Sequence, residues 1–125
     1  MTVSPYADLL GLRFDTDAAG HPVVTMDFAN DLLGRPGFLH GGAIGGMLEM
    51  AAWVALRAAL GEEETVIKPI NVTIDYMRGG RERTTFAAGE VTRLGSRIAN
   101  VSATAWQDDR DRPIAAARLN YLLKR

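Results

Sequence analysis

The order of hydrophobic and polar positions predicts one long helix and several strands. Residues 21–28 alternate apolar and polar side chains, which is the period of a half-buried strand. Residues 41–61, GGAIGGMLEMAAWVALRAALG, are rich in alanine, leucine and methionine, which favour helix, and Gly61 is a typical stop signal. A short helical turn is predicted at residues 8–12. Four further strands are predicted at residues 66–77, 84–93, 97–107 and 114–123.

Short turns between the last four strands predict an antiparallel sheet. Gly79-Gly80, Leu94-Gly95 and residues 108–112 separate these strands, and residues 30–39 contain Gly34, Pro36 and Gly37, which are typical of a loop. The fold class predicted is therefore α+β. The chain of 125 residues is long enough for one core and too short for two, so residues 1–125 are interpreted as a single domain.

The predicted helix is apolar around its whole circumference. Between residues 43 and 56 the only ionisable side chain is Glu49. A surface helix would have one polar face, so this helix should be buried on nearly all sides. One curved sheet of five strands leaves one side uncovered, and we expect a second subunit there. Gly45 and Gly46 favour the same interpretation, because glycine inside a helix costs about 1 kcal/mol relative to alanine and close approach of another backbone would compensate for it.

Composition excludes several classes of protein. Apolar residues make up 47% of the chain, which argues against disorder, and the apolar run at residues 43–56 is too short for a membrane span. A net charge of −1 argues against a dedicated nucleic-acid partner. There is no cysteine and no secretory signal, so a cytoplasmic setting is expected. Two histidines do not suggest a metal centre, and no cofactor is expected.

Charge is distributed unevenly along the chain. Residues 78–125 hold ten basic and five acidic side chains, and nine of the ten cations are arginines. Arginine is suited to bidentate contacts with phosphate. The cluster is either a solvated sheet face or a site for a phosphorylated small molecule, and the sequence leaves both open.

Two features at the predicted helix suggest chemistry. A buried carboxylate at Glu49 is costly unless it is paired or functional, so it is either a structural ion-pair partner or a catalytic group. Before it, His40, Gly41 and Gly42 stand where the loop becomes helix, and free N–H groups and the positive end of the helix dipole collect at such a point. That arrangement can bind an oxyanion, although the glycines could also serve only a tight corner.

Four segments of the chain resemble one family. They are LHGGAIGGMLEMA (39–51), IDYMRGG (74–80), GEVTRLGSRIANVSATAWQ (89–107) and RPIAAARLNYLL (112–123). They are similar to the hotdog-fold acyl-CoA thioesterases, in particular the branch of the phenylacetate-pathway and 4-hydroxybenzoyl-CoA enzymes. The resemblance implies a curved antiparallel sheet around one central helix. It also implies homodimers joined edge to edge, which pair into tetramers as dimers of dimers.

The resemblance also implies roles for individual residues. The N–H of Gly41 would polarise the thioester carbonyl, and Glu49 would act as nucleophile or general base. His40 would orient the loop or contact the thioester, and the neighbouring Gly42 would contact the substrate. The pantetheine arm or phosphates of CoA would be contacted by Arg78, Arg93, Gly95, Ser96 and Arg97. The chain departs from the family at Gly34, where many members carry asparagine or glutamine.

The predicted activity is hydrolysis of an acyl-CoA thioester to the free acid and CoA. Two alternatives are an acyl-thioester dehydratase or hydratase, which pairs a histidine with an acid on the same fold, and a non-catalytic acyl-CoA binding module. Gly41 and Glu49 are eight residues apart, about 12 Å along one helix. One carbonyl cannot contact both, so each active site is predicted to be shared between two subunits.

Overall fold

The computed structural model describes residues 4–125. Ser4 caps a short helix, and Gly61 follows a long one. The elements in chain order are helix α1 (Pro5–Leu9), strands β1 (Leu12–Thr16) and β2 (Pro22–Met26), a 3₁₀ turn (Asn30–Leu32), helix α2 (Gly41–Leu60), and strands β3 (Val66–Tyr76), β4 (Thr85–Leu94), β5 (Ile98–Trp106) and β6 (Ala115–Lys124).

The strands form one antiparallel sheet with the order β1-β2-β4-β5-β6-β3, and α2 packs against one face of it. The predicted α+β hotdog architecture, a sheet around one long helix, is confirmed. Small side chains let the helix lie close to the sheet. Ala103 on β5 faces Ala117 on β6, and a Cβ on Gly89 of β4 would lie only 2.7 Å from the carbonyl oxygen of Ala51.

Two details of the predicted sheet are wrong. Residues 12–16 form β1, whereas a helical turn was predicted over residues 8–12, because Ser4 and Pro5 start the helix earlier and it ends at Leu9. The strands β3 and β4 are also not neighbours. The eight residues 77–84 cross the end of the sheet, so β3 pairs with β6 and becomes an edge strand.

One side of α2 stays open within the chain. Eleven of its twenty residues are buried, and by length and composition alone α2 could cross a membrane, yet 61% of its most apolar window is buried inside the fold. Such burial is typical of a core helix. Glu49 is exposed within this single chain, so the chain's own sheet does not supply the burial expected for it.

The glycine pair in α2 is explained by contacts within the chain. A Cβ on Gly45 would lie 3.0 Å from Ile74 of β3, and a Cβ on Gly46 would lie 2.7 Å from the ring of Tyr6 in α1. These glycines therefore give room to the chain's own β3 and α1. They no longer argue for a second helix at that point.

Candidate active site

The first turn of α2 is capped by its own preceding residue. His40 has extended backbone angles, and its Nδ1 accepts the N–H of Gly42 at 2.8 Å. The carbonyl of His40 accepts the N–H groups of Ala43 and Ile44 at 3.0 and 3.2 Å. Because Nδ1 accepts, the proton of a neutral His40 ring lies on Nε2. His40 thus orients the loop-to-helix junction, one of the two roles expected for it.

One N–H of this turn remains free. Among residues 4–125, no acceptor is found for the N–H of Gly41. This donor lies at the positive end of the helix dipole, which suits a developing oxyanion. Gly42, which was expected to contact the substrate, already donates its N–H to His40 and offers no free N–H within the described residues.

Gly41 opens onto a cleft of about 810 Å³ between the loop before α2 and the end of β3. Arg78, which was predicted to contact the substrate, lines this cleft, and so do His40 and Gly34. A side chain at position 34 would have little room, because a Cβ there would lie 3.2 Å from Cα of His40. At Gly34 the chain lacks the asparagine or glutamine of many family members, and the missing side chain accompanies a close contact with His40.

Most residues that line this cleft were not predicted as site residues, among them Arg35, Phe38 and Tyr76. The guanidinium groups of Arg35 and Arg81 lie 4.0 and 4.5 Å from the centre of the Phe38 ring, which is cation–π geometry. The basic rim beside Gly41 is built from the loop before α2 and the crossing segment after β3. Of the arginines in the crossing segment, Arg78 was predicted individually, whereas Arg81 and Arg83 were visible only as part of a general charge excess.

Glu49 lies in a different cleft, of about 430 Å³, between α2 and β3. Met50 and Trp53 line it together with the buried Tyr121. Burial and, to a lesser extent, the negative charge of Glu49 raise the pKa of Tyr121 to about 12. A phenol is neutral at physiological pH even at its ordinary pKa of about 10, so this shift leaves the charge of the cleft unchanged.

The structural explanation of Glu49 as an ion-pair partner finds no support in the described residues. Arg57, the nearest cation along the helix, donates instead to the carbonyls of Thr65 and Glu63. No ion pair of Glu49 occurs among residues 4–125. Its carboxylate is available for chemistry.

The remaining predicted substrate contacts lie at the other end of the sheet. Gly95, Ser96 and Arg97 form the β4–β5 turn, and Arg93 lies just before it in β4. This turn is level with the end of β6, whereas Gly41 lies beside Tyr76 at the start of β6. A single chain does not bring this turn to Gly41. The presence of glycine at position 95 also has a structural reason, because a Cβ there would lie 2.8 Å from the carbonyl oxygen of Ile98.

The cap at His40 gives a stability prediction. Replacing His40 with alanine removes the acceptor for the N–H of Gly42, and we expect the free energy of unfolding to fall by about 0.5–2 kcal/mol, the usual cost of losing an N-cap. His40→Asn is the matched control, since asparagine is a good N-cap residue, and it should keep most of that stability. Denaturant unfolding of the three proteins checks this, and equal losses in both variants would contradict a capping role.

Comparison with known proteins identifies the family. A model of the thioesterase superfamily matches residues 36–114, which is more than half of the chain and includes both clefts' helix residues. The chain belongs to the thioesterase superfamily. No curated protein is significantly similar to it.

Among residues 4–125 of this superfamily member, no group of three or more histidine, aspartate and glutamate side chains is placed so that it could hold a metal ion.

Solved structures of other proteins share the superfamily fold. A protein from Chromobacterium violaceum is 38% identical, with 98% of this chain and 85% of that chain covered and a TM-score of 0.80. A phenylacetic acid degradation-related protein from Ralstonia eutropha JMP134 is 20% identical, covers 98% and 92%, and has a TM-score of 0.84. A protein from Bacillus halodurans, solved with CoA, is 15% identical, covers 98% and 80%, and has a TM-score of 0.88.

Proposed function

We propose that this chain hydrolyses an acyl-CoA thioester to the free acid and CoA. The observation that carries the proposal is the N–H of Gly41 at the start of α2, which has no acceptor among residues 4–125 and opens onto a cleft wide enough for a substrate. The carboxylate of Glu49 on the same helix, which has no ion pair within residues 4–125, supplies the second group that thioester hydrolysis needs. Membership in the thioesterase superfamily and the CoA bound to the Bacillus halodurans protein support the choice of substrate.

The proposed reaction uses side chains and backbone alone. The thioester carbonyl oxygen accepts the N–H of Gly41, which stabilises the charge that develops on this oxygen. Glu49 either attacks the carbonyl carbon to give a mixed anhydride, which water then cleaves, or removes a proton from an attacking water. In both routes the thiolate of CoA is the leaving group and takes up a proton.

The site is completed by a second copy of the chain in this proposal. Gly41 and Glu49 open onto different clefts of one chain and are about 12 Å apart along α2. Both clefts border β3, an edge strand, and an unpaired edge is open to pairing with another strand. Large apolar side chains are exposed along and just after it: Val66, Ile70, Val72, Tyr76 and Met77.

A twofold pairing of two β3 edges would set the two copies of α2 antiparallel. The start of one helix would then approach the middle of the other, and Gly41 would meet the partner subunit's Glu49. We propose a homodimer of this kind, which further pairs into a tetramer. In the joined sheet, the partner subunit's Arg97 would lie at the same end as Gly41, because paired antiparallel strands bring opposite ends together.

CoA phosphates would be bound by arginines in this arrangement. We expect Arg78→Ala and Arg97→Ala each to raise KM for acyl-CoA, with a smaller effect at high salt, because exposed charge contacts are screened. Turnover at saturation should change little, since these contacts are remote from the carbonyl. Arg93→Ala is also expected to raise KM and to change turnover at saturation little. Steady-state kinetics at two salt concentrations measure both quantities.

Arg118→Ala is the matched control for the arginine variants. Arg118 is exposed on β6 but lies away from both the Gly41 cleft and the β4–β5 turn. Its removal should leave KM unchanged. If Arg78, Arg93 and Arg97 variants behave like the control, the phosphates bind elsewhere and the basic charge excess is a solvated surface.

Product analysis tests the activity itself. The protein is incubated with short-chain, long-chain and aryl-CoA esters, and release of CoA is followed with a thiol reagent. Thiol release supports hydrolysis. Loss of enoyl absorbance without thiol would instead show hydration, and tight binding of acyl-CoA without either change would show a binding module.

A further inference from the structure

Tyr76 is anchored on the first turn of α2. Its hydroxyl donates a hydrogen bond to the carbonyl of Gly41, with an O···O distance of 2.9 Å, although the two residues are 35 positions apart. Its ring lies 3.4 Å from the position of a Cβ on Gly41, and its hydroxyl lies 3.4 Å from that of Gly45. These are ordinary van der Waals distances, so Tyr76 at the end of β3 lies directly against the first turn of α2.

The peptide group between Gly41 and Gly42 is held at both ends. Its carbonyl accepts the hydroxyl of Tyr76, and its N–H donates to Nδ1 of His40. Both residues are glycines, so no side chain of their own restricts the backbone, and glycine has more conformational freedom than any other residue. Tyr76 and His40 supply the restraint that these two glycines lack.

This double anchor leaves one donor for a ligand. Of the first four N–H groups of α2, those of Gly42, Ala43 and Ile44 all donate to His40, and that of Gly41 has no acceptor within residues 4–125. Fixing the carbonyl of Gly41 fixes the adjacent backbone torsion of the same residue. The N–H of Gly41 lies in the preceding peptide plane, whose carbonyl on His40 accepts the N–H groups of Ala43 and Ile44. Tyr76 holds the plane on the other side of Cα of Gly41, so the donor residue is restrained on both sides, on one of them by a side chain of β3.

We propose that Tyr76 is a positioning residue for the oxyanion donor, acting through the carbonyl of Gly41. This inference rests on the proposed thioester hydrolysis. A donor stabilises a transition state best when it is already aligned before the reaction, so loss of the anchor should weaken the chemical step more than substrate binding.

Tyr76→Phe tests the anchor because it keeps the ring and removes only the hydroxyl. We expect kcat to fall by about three- to tenfold, as for the loss of one ordinary hydrogen bond, with KM unchanged. The amides of residues 42–45 should exchange with deuterium faster, since the first turn of α2 is no longer held at Gly41. Exchange is measured by NMR, with the amides near Leu60 at the other end of α2 as an internal reference.

Tyr6→Phe is the matched control. Tyr6 is a tyrosine that also packs on a glycine of α2, at Gly46, and is 46% exposed against 54% for Tyr76. It should change neither kcat nor exchange at residues 42–45. Equal losses in both variants would mean general loosening of the fold and would overturn the proposal.

Other outcomes also decide it. A rise in KM without a change in kcat would indicate that Tyr76 contacts the substrate. Unchanged deuterium exchange at residues 42–45 would show that its hydroxyl does not hold the first turn of α2. Either result overturns the positioning role. If the wild-type protein hydrolyses no acyl-CoA, the proposed function fails. The exchange measurement then decides by itself whether Tyr76 holds the Gly41 donor.

Discussion

Glu49→Gln is expected to lower the turnover of acyl-CoA about a hundredfold or more, with KM largely unchanged. Glutamine keeps the size of the side chain but can neither attack the carbonyl nor accept a proton from water, and general-base catalysis contributes about 10²–10⁴ in rate. Because Glu49 lies exposed in a cleft of the chain and has no ion pair among residues 4–125, its loss should cost little stability. Kinetics and thermal unfolding of the same preparation measure both effects.

Glu90→Gln is the control for charge alone. Glu90 is exposed on β4 and does not line the cleft of Glu49, so its substitution should leave turnover unchanged. If Glu49→Gln retained turnover like that of the wild type, the catalytic assignment of Glu49 would be refuted, whatever the activity of the protein itself.

The elements were predictable from the sequence because their signals are local. The apolar composition of residues 41–61 predicted α2, and alternation predicted β2 and the four strands after the helix. The neighbour of β3 was not predictable in the same way. Short turns suggested that consecutive strands pair. Residues 77–84 instead cross the end of the sheet, and β3 pairs with β6 because of long-range packing. The short strand β1 was missed for a related reason, since its five residues are held by pairing with β2.

The candidate site was predictable only in part. The position of His40, Gly41 and Gly42 at the helix start, nine residues ahead of a lone acid, identified the right segment. The sequence could not show that His40 uses the N–H of Gly42, which leaves Gly41 as the free donor. Nor could it show the contact of Tyr76 with Gly41, because the two are brought together by the tertiary fold.

The expected burial of Glu49 shows another limit of sequence reasoning. An apolar helix with one acid indicates burial, but it does not indicate which chain covers the acid. In the structure the sheet covers one side of α2, and the side with Glu49, Met50 and Trp53 faces a cleft beside the free edge of β3. The missing cover is consistent with a second copy of the chain, which the proposed dimer supplies.

Mixing two inactive variants should restore activity if each site is shared between subunits. Gly41→Pro removes the N–H donor, and proline is well tolerated at the first position of a helix. His40 before it has φ −66° and ψ 135°, the extended backbone that a residue preceding proline prefers. Glu49→Ala removes the carboxylate. Each variant alone should be inactive, and a co-refolded mixture should recover up to about a quarter of wild-type activity if mixing is statistical.

The recovery follows from the geometry of a twofold dimer. A mixed dimer has two different sites. One site combines the Gly41→Pro change of one subunit with the Glu49→Ala change of the other and is doubly damaged. The other site combines an intact Gly41 with an intact Glu49. The parents must first be shown to fold and to dimerise, and differently tagged subunits must be shown to form heterodimers. A mixture that contains heterodimers but is as inactive as its parents would place Gly41 and Glu49 in one subunit's site. That result would contradict the argument that the 12 Å between Gly41 and Glu49 along α2 requires a second subunit to complete the site.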